Sequence, residues 1–149
     1  MVLEHPALAW LRSLTVEIHP DLMKLHDASN SAQHAFTGYG DGYVVIDAVT
    51  YRSSLIVTPS AVDDSWAARS SATLDASTLA PLEQFRDCII LLGTGSRQQF
   101  PAPALLRSLA SKGIAVEVMD NFAACRTFNI LAAEGRPVVA ALLIGGANA

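Results

Sequence analysis

The chain has 149 residues, enough for one domain and too few for two ordinary ones, so a single hydrophobic core is expected. Its 51% hydrophobic and 16% charged residues exclude intrinsic disorder. Ten Lys and Arg against fourteen Asp and Glu give a net charge of -4 with no basic stripe, which excludes a nucleic-acid surface.

The first 42 residues carry weak signals. Residues 7–14 suggest a short helix, His19-Pro20 interrupts it, and Ser29-Asn30-Ser31 reads as loop. Glu4, His5 and Pro6 stand where a signal peptide needs a basic start and an apolar run, and Glu4 and Glu17 do not suit a transit peptide. A cytoplasmic protein is the expectation. No run approaches the ~20 apolar residues of a membrane span, so no membrane insertion is expected. Met23 is a candidate second start, with residues 1–22 an N-terminal extension and 23–149 a single α/β domain.

Gly38-Tyr39-Gly40-Asp41-Gly42 reads as a turn cluster. Two β-rich runs follow, 43–51 and 54–58, separated by Arg52-Ser53, which predicts a hairpin between them with Asp47 inside its first strand. A short strand is expected around Trp66. Leu79, Leu82 and Phe85 recur every three residues, predicting a helix over 77–85 capped by Ser77 or Thr78, with Pro81 in its first turn.

The second half alternates strands and helices. Residues 88–92 form an apolar run suited to a strand covered on both faces, ended by Gly93-Thr94-Gly95. Pro103 opens a helix and Gly113 closes it, with Leu105, Leu106 and Leu109 as its buried stripe. A strand at 114–119 leads to a helix over 122–134, capped by Asp120 or Asn121 and ended by Gly135. The last strand runs from about 137 to 144, and the tail from Gly145 should fray. This order predicts parallel strands joined by right-handed crossovers.

The loop after residue 92 invites a dinucleotide reading, with Asp120 as the ribose acid. Gln98 occupies the third glycine position, the next helix starts late, at Pro103, and no Gly-Lys-Ser/Thr follows. Nucleotide binding is therefore disfavoured. A small anion is a weaker demand, because parallel strands bring the loops after Leu92 and Met119 to one sheet edge. The candidate ligand residues are Gly93, Thr94, Gly95, Arg97, Asn121, Arg126, Thr127 and Asn129. The plainer reading is that the glycines and caps serve the fold alone.

Candidate nucleophiles and bases are few. Cys125 lies mid-stripe with Phe122, Phe128, Leu131 and Ala132, as a small core residue does. All four histidines fall within the first 34 residues, which argues against a zinc site or a Ser-His-Asp triad in the later body. Cys88 and Cys125 are the only cysteines, too few for a disulfide framework. Arg126 and Asn129 are helical neighbours, free to bond backbone or a ligand. No catalytic residue, metal or cofactor is assigned.

Three stretches together resemble a known family. Residues 43–51 with 54–59 resemble its opening hairpin, and Leu91-Leu92-Gly93-Thr94-Gly95 resembles its central loop. Residues 124–131 followed by Glu134-Gly135-Arg136 resemble its signature helix, with Phe128 where relatives often carry tyrosine. The family is the small Mth-type domain of unknown function shared with mitochondrial complex I assembly factor three and the adipogenesis-associated Mth-type domain protein. The resemblance spans roughly residues 23 to 149. It implies a single three-layer α/β domain, a mixed sheet with flanking helices and a β-hairpin layer. It implies no established enzyme activity and no known cofactor, and its mitochondrial member points to an assembly-type role with a protein partner. The alternative is a small enzyme or metabolite-binding protein that holds an anionic ligand at the Gly93–Arg97 loop and the start of the 122–134 helix. Tyr43, Tyr51 and Trp66 would supply aromatic anchors for a partner if they face outward.

Overall fold

A computed structural model describes residues 33–145. The expected helix at 7–14, the candidate start at Met23, the 22/23 boundary and the tail beyond Gly145 lie outside these residues.

The described chain opens with a strand where the sequence suggests only a turn. Phe36–Gly40 (β1) pairs antiparallel with Tyr43–Ile46 (β2), leaving Asp41 and Gly42 as the turn. The run 43–51 does not stay one strand. It folds back at Asp47-Ala48, both at positive φ (51° and 72°), so Ile46 faces Val49 in Val49–Tyr51 (β3). Two central residues with φ above zero match the right-handed twist of paired strands, and aspartate tolerates that region. Alanine in the second position conceals the turn from a reader looking for Asn-Gly or Asp-Gly.

The expected partner of that run is elsewhere. Leu55–Thr58 (β4) pairs with Ala61–Asp63 (β5) on one side and with the last strand on the other. Leu55, Ile56 and Val57 are all buried, which suits a sheet covered on both faces. No strand forms at Trp66, which lies past β5 with its indole N–H donating to the Thr78 carbonyl at 2.7 Å.

The predicted helix over 77–85 is shorter and capped earlier. Asp75 accepts from the Thr78 N–H at 2.9 Å and caps Ala76–Leu79 (α1), which tightens into a 3-10 turn over Ala80–Gln84. Asp75 satisfies orphan donors that Ser77 and Thr78 are too late in the chain to reach. Leu79 and Leu82 are buried as expected.

The remaining elements follow the sequence closely. Ile89–Gly93 (β6), Pro103–Ser111 (α2), Val116–Met119 (β7), Asn121–Ala133 (α3) and Val138–Leu142 (β8) occur in that order. β6 is parallel to both β7 and β8. The five-stranded sheet runs β5-β4-β8-β6-β7, and β1-β2-β3 form a separate antiparallel sheet. In α2 Leu109 is buried, whereas Leu105 and Leu106 are half-buried.

Two apolar clusters flank the large sheet. On one face Val138, Ala140 and Leu142 of β8 meet Cys125 and Phe128 of α3, with Phe36, Val44 and Ile46 of the small sheet. On the other, Val139 and Ala141 meet Leu79, Leu82, Leu109 and Trp66. Alternate β8 side chains thus serve opposite cores, as the two-residue period requires. Phe128, fully buried and edge-on to Phe36 at 5.3 Å, contributes about 1.5–3 kcal/mol. The outcome is a mixed sheet between helices, with an antiparallel β layer against α3.

Candidate functional site

The loop after β6 and the start of α3 meet because β6 and β7 run in parallel. The Thr94 N–H donates to the Met119 carbonyl at 2.9 Å, stitching the two strand ends. Its hydroxyl donates to the Arg97 carbonyl at 2.7 Å and accepts from the Gln99 N–H at 2.8 Å, which curls the loop. Thr94 is buried, so these bonds replace water it cannot reach.

Asn121 is the keystone of the site. Its Oδ1 accepts from the Gly95 N–H at 3.1 Å, and its Nδ2 donates to the Leu143 carbonyl at 3.0 Å. Its own backbone N–H donates to the Gly95 carbonyl at 2.8 Å. One buried amide thereby joins the β6 loop, α3 and the end of β8. Gly93 is required beneath it. A Cβ there would overlap Asn121 Oδ1 and lie 2.6 Å from Leu142 Cδ2. Asp120, the residue a ribose would need, caps α3 by accepting from the Ala123 N–H at 2.8 Å.

Of the eight candidate residues, Gly93, Thr94, Gly95 and Asn121 come together. Gly95 and Asn121 line a cleft with Gly40, Asp41 and Phe122, whose volume of about 10 Å³ leaves room for one water at most. Arg97, Arg126, Thr127 and Asn129 do not line it. Arg97 and Arg126 are exposed, and Thr127 is half-buried. Asn129 bonds backbone, though not locally. Its amide accepts from the Phe36 N–H at 2.9 Å and donates to the Phe36 carbonyl at 2.7 Å.

Cys125 is fully buried, and burial pushes its thiol up to about 12, with Arg126 pulling weakly the other way. A thiol so protonated is not a nucleophile at neutral pH. Cys88 is half-buried, raised by desolvation and by the neighbouring Asp87.

Half-buried Phe122 and exposed Arg126 and Ile130 of α3 form a different surface. Phe122, Arg126 and Ile130, spaced four apart, share one side of the helix. Tyr39 of β1 stacks on Phe122 with ring centroids 5.0 Å apart, and its hydroxyl accepts from Arg126 at 3.5 Å. That hydrogen bond holds the guanidinium pKa above its usual value. Ile130 is 59% exposed and Tyr39 37%. The expected anchors fall elsewhere, with Trp66 buried and Tyr43 and Tyr51 half-buried. Tyr39 was concealed among glycines that read as a turn.

Comparison with known proteins agrees with this architecture. NADH dehydrogenase (ubiquinone) 1 alpha subcomplex assembly factor 3 of Bos taurus is 49% identical over 55 residues, 37% of this chain and 30% of that protein. The match thus spans under a third of that curated relative. A crystal structure of a Bordetella parapertussis protein is similar with a TM-score of 0.70 and 39% identity, covering 76% of this chain and 98% of that one. A Mth938-like domain of Bordetella pertussis, solved by NMR, gives a TM-score of 0.64 and 33% identity over 78% of this chain and 89% of that one. The model of the family described as protein of unknown function (DUF498/DUF598) matches residues 36–143, and the chain belongs to that family.

Proposed function

We propose that this is a non-catalytic partner-binding protein of the assembly-factor type, working in the cytoplasm. One observation carries the reading. Tyr39, Phe122, Arg126 and Ile130 form a surface of two stacked rings, a guanidinium and an exposed aliphatic side chain. Tyrosine and arginine dominate the energetics of protein interfaces, and rings already stacked lose little freedom on docking. The partner this chemistry fits is a protein presenting an apolar side chain to Ile130 and a carboxylate to Arg126. The similarity to a protein named as an assembly factor supports the same class of role.

A small enzyme acting through Cys125 or Asp120 draws no comparable support. The thiol is buried and protonated, and the carboxylate is engaged as a helix cap. A small anion at the Gly93–Arg97 loop would have to rely on exposed Arg97, since Asn121 and Thr94 already bond the loop itself.

The test is affinity capture from the native cell with wild type and with the double variant Arg126→Ala, Ile130→Asp. A partner retained by wild type and lost by the variant, at unchanged thermal stability, supports the reading. Equal capture by both contradicts it.

A further inference from the structure

Where β8 ends, the loop between β3 and β4 and the segment after β5 border an open cavity of about 250 Å³. Its lining includes Arg52, Ser53, Trp66, Arg69, Ile144 and Gly145, with no acidic side chain. Two exposed arginines border it and no carboxylate does, which gives it a positive character in an otherwise acidic protein. Among the described residues, neither arginine forms an ion pair with a carboxylate.

The walls are fixed. Trp66 is held by its N–H on the Thr78 carbonyl at 2.7 Å. Buried Ser54 accepts from the Ile144 N–H at 2.8 Å and donates to the Ile144 carbonyl at 3.1 Å, locking the end of β8 to the start of β4. Gly145 has a φ of +80°, and a Cβ there would come within 2.9 Å of the Arg52 carbonyl oxygen. Arg52 itself rests over the Tyr43 ring at 5.4 Å. That places the cation within reach of the ring's electron-rich face.

We propose that this cavity binds a small organic carboxylate, its charge held between Arg52 and Arg69 and its apolar body against Trp66 and Ile144. A planar, two-pronged guanidinium matches a carboxylate, and the small apolar surface that largely buried Trp66 and Ile144 present suits a small body. The volume is below the usual range for drug-sized ligands, which favours a small acid over a nucleotide. The residues are distinct from the Tyr39–Ile130 face, so the two readings stand or fall separately.

Benzoate is the probe, with benzamide, inorganic phosphate and a short peptide ending in phenylalanine with a free carboxylate as comparators. Amide NMR titration of the intact chain should show saturable benzoate binding up to about 10 mM, centred on Arg52, Trp66, Arg69 and Gly145. Benzamide should not bind. Arg52→Gln with Arg69→Gln should weaken benzoate about tenfold or more at unchanged Tm. The single variants keep the test open should the double variant unfold, each weakening benzoate on its own. Unchanged affinity in all the variants, or no saturable benzoate binding, overturns the site. Phosphate binding as tightly as benzoate overturns the carboxylate assignment, and tighter peptide binding overturns the small-molecule one.

Discussion

The side-chain amide of Asn129 pairs with both backbone groups of Phe36, accepting from its N–H at 2.9 Å and donating to its carbonyl at 2.7 Å. It acts as one residue of an extra strand, closing the outer edge of β1 and binding the small sheet to α3. Phe36 and Phe128 meet edge-on beneath it.

Asn129→Ala is therefore expected to destabilise the fold by about 1–3 kcal/mol, because two part-buried backbone groups lose their partner. Asn129→Asp should be no better, since it keeps the acceptor and sets a second oxygen against the Phe36 carbonyl. Urea unfolding checks both, and stability equal to wild type would deny Asn129 this role.

The loop after β6 makes a sharper contrast. Asn121→Ala leaves the Gly95 N–H and the Leu143 carbonyl unpaired and should cost roughly 2–4 kcal/mol. Gly93→Ala drives a methyl into the same amide and should cost about 1–3 kcal/mol. Arg97→Ala, at an exposed position of the same loop, should stay within about 0.5 kcal/mol of wild type. Thermal unfolding of the three variants gives the ranking.

Ala48 is exposed at a φ of 72°. Ala48→Gly removes the clash of its Cβ in that region and should stabilise the protein by about 0.5–1 kcal/mol. A loss of stability would mean the turn adopts another geometry.

That turn also explains what was legible in the sequence. Strand β6, helix α2 between Pro103 and Gly113, and α3 behind its Asp120 cap all declare themselves locally. Apolar runs and capping chemistry act over a few residues. The 43–51 run does not, because alanine stands where glycine normally announces the turn. The three consecutive buried residues Leu55, Ile56 and Val57 carried the signal that β4 belongs to the doubly covered sheet. Parallel-strand geometry was enough to bring Gly95 and Asn121 together. That their polar groups answer one another was not, since satisfaction depends on distances no spacing encodes. The Tyr39–Arg126 contact joins residues 87 apart and leaves no local trace.

Cys125 gives a pH dependence with a definite sign. Burial raises its thiol from 9.0 to about 12, so the folded state favours the protonated form. Its contribution is complete below about 9 and is lost as pH rises towards about 12. Cys125→Ala should remove that part of the alkaline decline, read from urea midpoints across the range. In native protein at neutral pH, a thiol reagent should reach half-buried Cys88 first and Cys125 only on unfolding. Fast labelling of both would contradict the burial.

Site-specific photo-crosslinking in the native cell tests the partner-binding reading most directly. A photoreactive residue replaces Ile130 in one chain and Phe100, 68% exposed, in another. One protein adduct at position 130, absent at position 100 and abolished by Arg126→Ala, is the predicted result. No adduct at position 130, or the same adducts in equal yield at both positions, would contradict the account.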